Sequence, residues 1–234
     1  MLQGYIKKIL LLSLVFWLPT QLFAVDPKNL FVEGQDYIKL SDAVRNTSEV
    51  AQLLNADPHK VQVLFFFSYA CHGCEIFHKP FNIWAKQQRS APNSKVAVYV
   101  YPVSFNPQWH MLAKMYYVMQ TLDPQGKLTD AIFSAVLKNR LKLWDPAVMK
   151  KFFIQNGFTA DQFDKAYNSF NVNRQVKRAD DISKAFGIVV TPDIVINGPV
   201  NSYKLDLSKA GNNSERLLQI LDYLIARESK LLAG

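Results

Sequence analysis

The sequence predicts an α/β protein in which a block of helices is inserted between the strands of a central mixed β-sheet. Two β-rich and nearly all-apolar runs, Val61–Ser68 and Lys95–Val103, flank an amphipathic segment, and this is the pattern of a βαβ unit with parallel strands. Helical periodicity then continues to about residue 186, and β signals return only after Gly187. We therefore expect one sheet whose strands lie on both sides of the helical block in the chain.

The first 24 residues have the features of a cleaved secretory signal peptide. Lys7 and Lys8 precede a ten-residue apolar segment, and Ala24 offers a cleavage site. Ten apolar residues are too few to cross a bilayer core, which needs about twenty, so an uncleaved anchor is disfavoured. Cleavage would leave 210 residues with 25 basic and 19 acidic side chains, a formal net charge of +6. Because the basic residues are scattered and the chain is exported, we expect a protein that does not bind nucleic acid.

Ahead of the helical block, each element has its own signal. Asp36–Leu40 alternates polar and apolar residues, as a half-buried edge strand does. The unbroken apolar character of Val61–Ser68 and Lys95–Val103 predicts two strands that are buried on both faces. Between them, Cys74–Gln88 has apolar residues at helical intervals, and Pro80 is expected to kink this helix after its first turns.

Inside the block, capping residues mark where helices begin. Asn106 can cap a helix that has Pro107 in its first position. Gly126–Leu143 is expected to form a second helix, with Lys138 and Arg140 on a solvated face.

Three further helices complete the prediction for this part of the chain. Asp145 precedes a helix that ends near Gly157, and Thr159 with Gln162 forms a capping box for the next helix. The last helix of the block is expected to end at Gly187 in a C′ position.

Strand signals return after Gly187. The pair Asn197-Gly198 predicts a tight turn between two strands, and Pro199 predicts that the strand after it lies at an edge of the sheet. Ser214–Leu232 has one apolar face and predicts a C-terminal helix.

The chain contains two cysteines, Cys71 and Cys74, and they are placed where the first buried strand gives way to a helix. In an oxidising compartment a single pair at this spacing indicates redox chemistry, because a structural disulfide would join distant segments. The helix N-terminus stabilises a thiolate at Cys71, which can exchange with a substrate disulfide, and the deeper Cys74 resolves the mixed disulfide. A protonated His72 would favour that thiolate, and Gly73 gives the turn backbone freedom.

A metal site is the alternative of a different class. Cys71, Cys74 and His78 could supply three ligands, since Cys74 and His78 are four residues apart on one helix face. This alternative describes a module that binds or delivers a metal ion such as copper.

Pro192 is the second signal for function. It stands between β-rich residues in "VVTPDIVING", where a central strand would need its N–H, and this indicates a special backbone feature such as a cis peptide bond. If the strand after Pro192 returns beside the strand that ends at Ser68, the loop of Thr191 and Pro192 faces the two sulfur atoms.

At these residues the chain resembles the DsbA family of periplasmic thiol:disulfide oxidoreductases, which have a thioredoxin fold with a helical insertion. The matches are "FFFSYACHGC", the helical block from Asn106 to Phe186, and "GIVVTPDIVING". The resemblance implies that Cys71 is the nucleophile and Cys74 the resolving thiol. It implies that the Thr191–Pro192 loop, with a cis proline, pairs with an extended substrate by β-addition. It also implies a redox-active disulfide as the sole redox group and a membrane quinone-linked partner of the DsbB type that reoxidises the protein.

Three departures from the family pattern bear on redox poise. His72 and Gly73 stand where the family usually has proline and then histidine. Phe65 replaces a buried acid that handles protons at the resolving thiol, which leaves water or Glu75 for that task. Thr191 before the proline is more typical of disulfide isomerases, so an isomerase or reductase is the alternative within the same chemistry.

The resemblance also implies a domain organisation. We expect a signal peptide at 1–24, a thioredoxin-like domain formed by 25–103 and 187–234, and a helical insertion domain at 104–186. Isomerases of this compartment usually carry an N-terminal dimerisation domain, and the 46 residues between the expected mature start and Cys71 leave hardly any room for one. We therefore expect a monomeric oxidase that acts on unfolded or partly folded exported proteins.

Overall fold

A mixed five-stranded β-sheet is at the centre of the part of the chain that the computed structural model describes, residues 30–232. Its strands are β1 (Ile38–Lys39), β2 (Val61–Phe67), β3 (Val96–Pro102), β4 (Asp193–Asn197) and β5 (Ser202–Asp206). Their order across the sheet is β1-β5-β4-β2-β3, with β2 and β3 parallel and the other neighbours antiparallel. The predicted α/β class is confirmed, and the predicted signal peptide lies outside the described residues.

The helices are separated from one another in the chain by short turns or strands. They are α1 (Asp42–Arg45), α2 (Ser48–Ala56), α3 (His72–Ser90), α4 (Pro107–Leu122), α5 (Thr129–Phe133), α6 (Pro146–Gln155), α7 (Ala160–Tyr167), α8 (Phe170–Ala185) and α9 (Ser214–Leu231). A π turn, Ser134–Lys138, continues directly from α5. Among these described helices, none has the length and apolar character needed to span a bilayer.

β2 is fully buried because helices cover both faces of the sheet at this strand. On one face the Phe65 ring packs against Phe77 and Phe81 of α3. On the other face the Phe66 ring packs against Phe186 at the end of α8. A strand buried on both sides has no solvated face to fill with polar residues, which explains its continuous apolar run.

The helix starts follow the predicted capping chemistry. The Asn106 side chain accepts a hydrogen bond from the Trp109 N–H at 2.9 Å, and the Asp145 side chain accepts one from the Ala147 N–H at 2.8 Å. Each bond satisfies a donor that has no partner within its helix. Gly187 follows α8 with φ of +61°, a backbone conformation that glycine adopts without steric cost.

Replacing Thr159 with alanine is expected to lower the free energy of unfolding by about 1 kcal/mol. Its hydroxyl accepts from the Gln162 N–H at 3.2 Å in the capping box of α7, and alanine leaves that donor without its partner. Urea denaturation measures the change. Ser41→Ala is the matched control, because Ser41 is the N-cap residue of α1 and its side chain makes no capping bond. Equal losses in the two variants would contradict the assignment.

Two strand predictions need correction. β3 was expected to be buried on both faces, but it is the last strand of the sheet and Ala97–Val100 are only half-buried. β5 was expected at an edge, but β1 pairs with it through Ile38 and Lys39. Pro199 does not disturb the sheet, because it lies in the four-residue connection between Asn197 and Ser202 and outside the hydrogen-bonded ladder.

The single helix predicted over Gly126–Leu143 is also wrong in its extent. α5 passes into the π turn, whose last bond runs from the Asn139 N–H to the Ser134 oxygen at 3.0 Å. Arg140 then has φ of +52°, which ends the helical path. Lys138 and Arg140 therefore do not share one helix face, and the π turn gives Lys138 a different position.

Candidate active site

The two cysteines form a disulfide at the junction of β2 and α3. Cys71 is the N-cap residue of α3 and Cys74 lies in its first turn, with 5.2 Å between their Cα atoms. The Cys74 backbone N–H points at the Cys71 Sγ atom, 3.1 Å away. The same N–H also donates to the Cys71 carbonyl oxygen at 3.1 Å, so it is shared between the two acceptors. A thiolate formed at Cys71 would be stabilised by this direct hydrogen bond and by the helix dipole.

The two sulfur-bearing residues differ in access. Cys71 is 8% exposed and Cys74 is 0% exposed. An incoming sulfur atom can therefore reach Cys71, whereas Cys74 is reached only from within the protein. This asymmetry is what a dithiol needs if one cysteine attacks or is attacked and the other resolves.

The loop before β4 lies directly against the CxxC turn. β4 pairs antiparallel with β2 and places Asp193 opposite Phe66, so the preceding Thr191-Pro192 peptide, which is cis, lies at the active-site end of the sheet. A Cβ atom added to Gly73 would lie 3.0 Å from the Pro192 Cδ atom. Gly73 is part of helix α3, so the reason for glycine here is this close approach, and the predicted need for backbone freedom is wrong.

The main chain of Thr191 is available for pairing. No hydrogen bond involves its N–H or C=O group within the described part of the chain. The preceding Val189 is 75% exposed and Val190 is 47% exposed. The loop thus combines free main-chain groups with apolar surface, as a platform for an extended peptide would.

A charged cluster adjoins the disulfide on the other side. The Glu75 carboxylate lies 3.3 Å from the His72 Nδ1 atom and 3.0 Å from the Lys138 Nζ atom. The side chain of Glu75 is 19% exposed, whereas that of His72 is 76% exposed. Sequence reasoning suggested His72 and Glu75 as residues that act on the thiols, but it placed Lys138 on a solvated helix face and missed its contact with Glu75.

Phe65, at the position of the family's buried acid, belongs to an aromatic cluster. Its ring lies 5.5 Å from that of Phe77 and 4.6 Å from that of Phe81. β2 therefore contributes an aromatic ring, and no titratable side chain, to its contact with α3 at this position. The neutral, tightly packed ring provides stability here in place of an acid.

His78 is directed away from a metal-binding arrangement. Its Nε2 atom is 3.5 Å from the Asp130 carboxylate, and burial lowers the pKa of the imidazole against the opposing effect of Asp130. Within the described residues, no three His, Cys, Asp or Glu side chains are grouped as metal ligands. The set of Cys71, Cys74 and His78 proposed as the alternative is not brought together.

Asp193, which sequence reasoning did not select, is a buried acid next to the cis proline. It is 1% exposed, and its Oδ1 atom has no hydrogen-bond partner among the described residues. Burial raises the pKa of its carboxyl to about 7, with Lys204 acting in the opposite direction and Asp206 in the same direction. An acidic residue inside the apolar run "PDIVI" is the signal that would have drawn attention to it.

The chain matches the family described as DSBA-like thioredoxin domain over residues 62–224. The protein named thiol:disulfide interchange protein DsbA in Azotobacter vinelandii is 33% identical over 215 residues, which are 92% of each chain. The protein of the same name in Pseudomonas aeruginosa is 27% identical over 85% of this chain and 86% of its own length.

Solved structures give the same result for the fold. The crystal structure of Pseudomonas aeruginosa DsbA superposes with a TM-score of 0.74 and 26% identity, over 87% of this chain and 97% of the other. The oxidoreductase NmDsbA1 from Neisseria meningitidis has a TM-score of 0.67 at 22% identity, over 87% and 96% of the two chains. At that lower identity the likeness concerns the fold alone.

Proposed function

Since this chain belongs to the DSBA-like thioredoxin domain family and is a thiol:disulfide oxidoreductase, we propose that it introduces disulfide bonds into exported proteins through the Cys71–Cys74 disulfide. The observation that carries this proposal is the placement of Cys71. It is the more accessible of the two cysteines, and it caps a helix whose N–H group points at its sulfur atom. An oxidant needs such a site because its reduced form must be stabilised as a thiolate.

The first step is attack by a substrate thiolate on the Cys71 sulfur. The new bond joins the substrate sulfur to Cys71, the Cys71–Cys74 bond breaks, and its electron pair moves to the Cys74 sulfur. Cys74 is fully buried, so it takes up a proton more readily than it stays ionised. The product is a mixed disulfide between the substrate and Cys71.

The second step releases the oxidised substrate. A second substrate thiolate attacks the substrate sulfur of the mixed disulfide, and the electron pair of the broken bond leaves with Cys71 as a thiolate. The substrate gains one disulfide, the protein becomes a dithiol, and the protons not taken up by Cys74 pass to solvent. Stabilisation of the Cys71 thiolate by the helix start makes it a good leaving group.

The loop of Thr191 and Pro192 would hold the substrate. The free main-chain groups of Thr191 can pair with an extended segment, and the exposed Val189 and Val190 can contact its apolar side chains. Extended main chain and apolar side chains are what unfolded or partly folded proteins present. We place His72 and Gly73 in the same site, His72 as the neighbour of Cys71 that contacts Glu75 and Gly73 as the contact of Pro192.

The setting of this reaction is the periplasm, reached through a cleaved signal peptide. After one turnover the dithiol must be reoxidised, and we assign this to a membrane quinone-linked partner of the DsbB type. The protein acts as a monomer in this proposal, and its redox-active disulfide is the sole redox group it uses.

Replacing Cys74 with serine is expected to trap the mixed disulfide with substrate. The variant keeps Cys71 as the attacking thiol but lacks the sulfur that resolves the intermediate. Incubation with a partly oxidised ribonuclease, followed by gel electrophoresis without reductant, should show a covalent complex. Added reductant should cleave this complex into its two chains. The matched Cys71→Ser variant should form no complex. A complex formed equally by both variants would overturn the assigned roles.

The equilibrium with glutathione separates the oxidase from the isomerase or reductase alternative. An oxidase is expected near the oxidising end of the range for this superfamily, about −120 mV, and a reductase near about −270 mV. The observation that favours the alternative is Thr191 before the cis proline. A redox potential of about −270 mV would therefore contradict the proposed oxidase and support the isomerase or reductase, ~150 mV away.

A further inference from the structure

Glu75 is a half-buried carboxylate one residue after Cys74, and it lies in the same helical turn as the redox disulfide. Its two carboxylate oxygens lie 3.3 Å from the His72 Nδ1 atom and 3.0 Å from the Lys138 Nζ atom. Within the described residues these are the two charge-type contacts of the Glu75 carboxylate. Glu75 thus has the Lys138 ammonium group on one side and the His72 imidazole on the other.

Lys138 comes from a different part of the chain, the end of the π turn that continues α5. A π turn contains one more residue than an α turn, so it changes the direction in which the residues after it point. Here its last residue reaches across to α3 and contacts Glu75. π turns are frequent at functional sites, and this one supplies a charge to the active-site helix.

The carboxylate and the cation have opposite effects on the reduced state of Cys71. A carboxylate near Cys71 repels its thiolate and thereby disfavours the reduced form, whereas a nearby cation favours it. In the oxidised form Cys71 carries no charge, so neither effect applies. A change in either charge must therefore change the equilibrium between disulfide and dithiol.

We propose that Glu75 and Lys138 are a redox-tuning pair, in which the carboxylate makes the disulfide less oxidising and the lysine of the π turn offsets that effect. This inference rests on the proposed function, since it concerns the poise of the same Cys71–Cys74 couple. Both are positioning residues in this role, because they act on Cys71 through its ionisation and do not touch the substrate.

Two substitutions test the proposal by the sign of their effects. Glu75→Gln is expected to shift the equilibrium with glutathione about threefold toward the reduced protein, and Lys138→Gln about threefold toward the disulfide. A threefold change corresponds to about 14 mV for this two-electron couple. In both variants the thiolate absorbance of reduced Cys71, followed against pH, should move in the matching direction, toward lower pH for Glu75→Gln and toward higher pH for Lys138→Gln.

The opposite signs exclude a purely structural role. Both substitutions break the same ion pair, so a pair that served only to hold the π turn on α3 would give shifts of the same sign or no shift. Asp130→Asn is the control, because it breaks the contacts of Asp130 with Lys79 at 3.1 Å and with His78 at 3.5 Å, which join α5 to α3 one turn further along α3. It is expected to leave the equilibrium unchanged.

Shifts of equal sign, or a shift in Asp130→Asn as large as in the other two variants, would overturn the inference. Either result leaves the proposed function intact, because the couple would still equilibrate with glutathione and oxidise substrates. Failure of the proposed function would instead be seen in the parent protein as a disulfide that does not exchange with glutathione.

Discussion

Replacing Cys71 with serine is expected to reduce the oxidation of a reduced, unfolded ribonuclease to the uncatalysed rate. The hydroxyl of serine cannot form a mixed disulfide, and Cys74 is 0% exposed and cannot substitute for the missing sulfur. The reaction depends on breaking the Cys71–Cys74 bond, and this variant has no such bond to break. Thiol quantification of the ribonuclease against time, with stoichiometric oxidised protein, measures the effect.

The control for this prediction separates chemistry from folding. Lys177→Gln changes an exposed residue of α8 that pairs with Asp181, and it should oxidise the ribonuclease at the rate of the parent protein. A circular dichroism spectrum of Cys71→Ser like that of the parent protein in its reduced form would show that the fold persists. Substrate oxidation by a folded Cys71→Ser protein would contradict the assignment of Cys71 as the cysteine that forms the mixed disulfide.

The second large effect concerns stability. Replacing Asp193 with asparagine is expected to raise the free energy of unfolding at pH 8 by about 4 kcal/mol, with little change near pH 4. The Asp193 carboxyl is buried, its Oδ1 atom has no hydrogen-bond partner among the described residues, and burial raises its pKa from 3.8 to about 7. Ionisation of this group thus opposes the folded state, and the amide of asparagine does not ionise.

The pH window follows from the direction of this shift. Below about pH 4 the carboxyl is protonated in both the folded and the unfolded protein, so it contributes no pH dependence. As pH rises from about 4 to about 7 the unfolded chain releases its proton while the folded protein retains it, so stability falls. Above about pH 7 the full penalty is present. The loss is largest, therefore, in the neutral and mildly alkaline range.

Urea denaturation of the parent protein and of Asp193→Asn at pH 4, 6 and 8 measures this difference. Asp161→Asn is the control, since Asp161 is exposed on α7 and should show no comparable gain at pH 8. A gain in Asp193→Asn that is the same at all three pH values would mean that ionisation is not its cause. A loss at pH 8 would contradict the account of this carboxyl.

The sequence predicts the architecture where burial or helix capping produces a recognisable local pattern of residues. The apolar run of β2 reflects cover on both faces, and Asn106 and Thr159 mark helix starts through bonds to their own backbone. The edge positions were wrong for β3 and β5, because the order of strands depends on pairings between distant segments. Nothing in the residues near Ser202 signals that the two-residue strand β1 pairs beside them.

The candidate site likewise has parts that the sequence predicts and parts that depend on tertiary contacts. The CxxC turn and the proline loop carry strong local signals, and the pairing of β4 with β2 brings them together as expected. The contact of Lys138 with Glu75 has no local signal, since it depends on a π turn that periodicity does not distinguish from an α-helix. The close packing of Gly73 on Pro192 likewise depends on a tertiary contact.

The most direct test of the central claim is the ionisation of Cys71 in the reduced protein, measured as thiolate absorbance near 240 nm in the Cys74→Ser variant. If the helix start stabilises the Cys71 thiolate, the absorbance is present in full at pH 7 and is lost only on further acidification. An ordinary thiol ionises near pH ~8.5. Absorbance that is absent at pH 7 and rises only around that value would contradict the claim that this sulfur is activated for exchange.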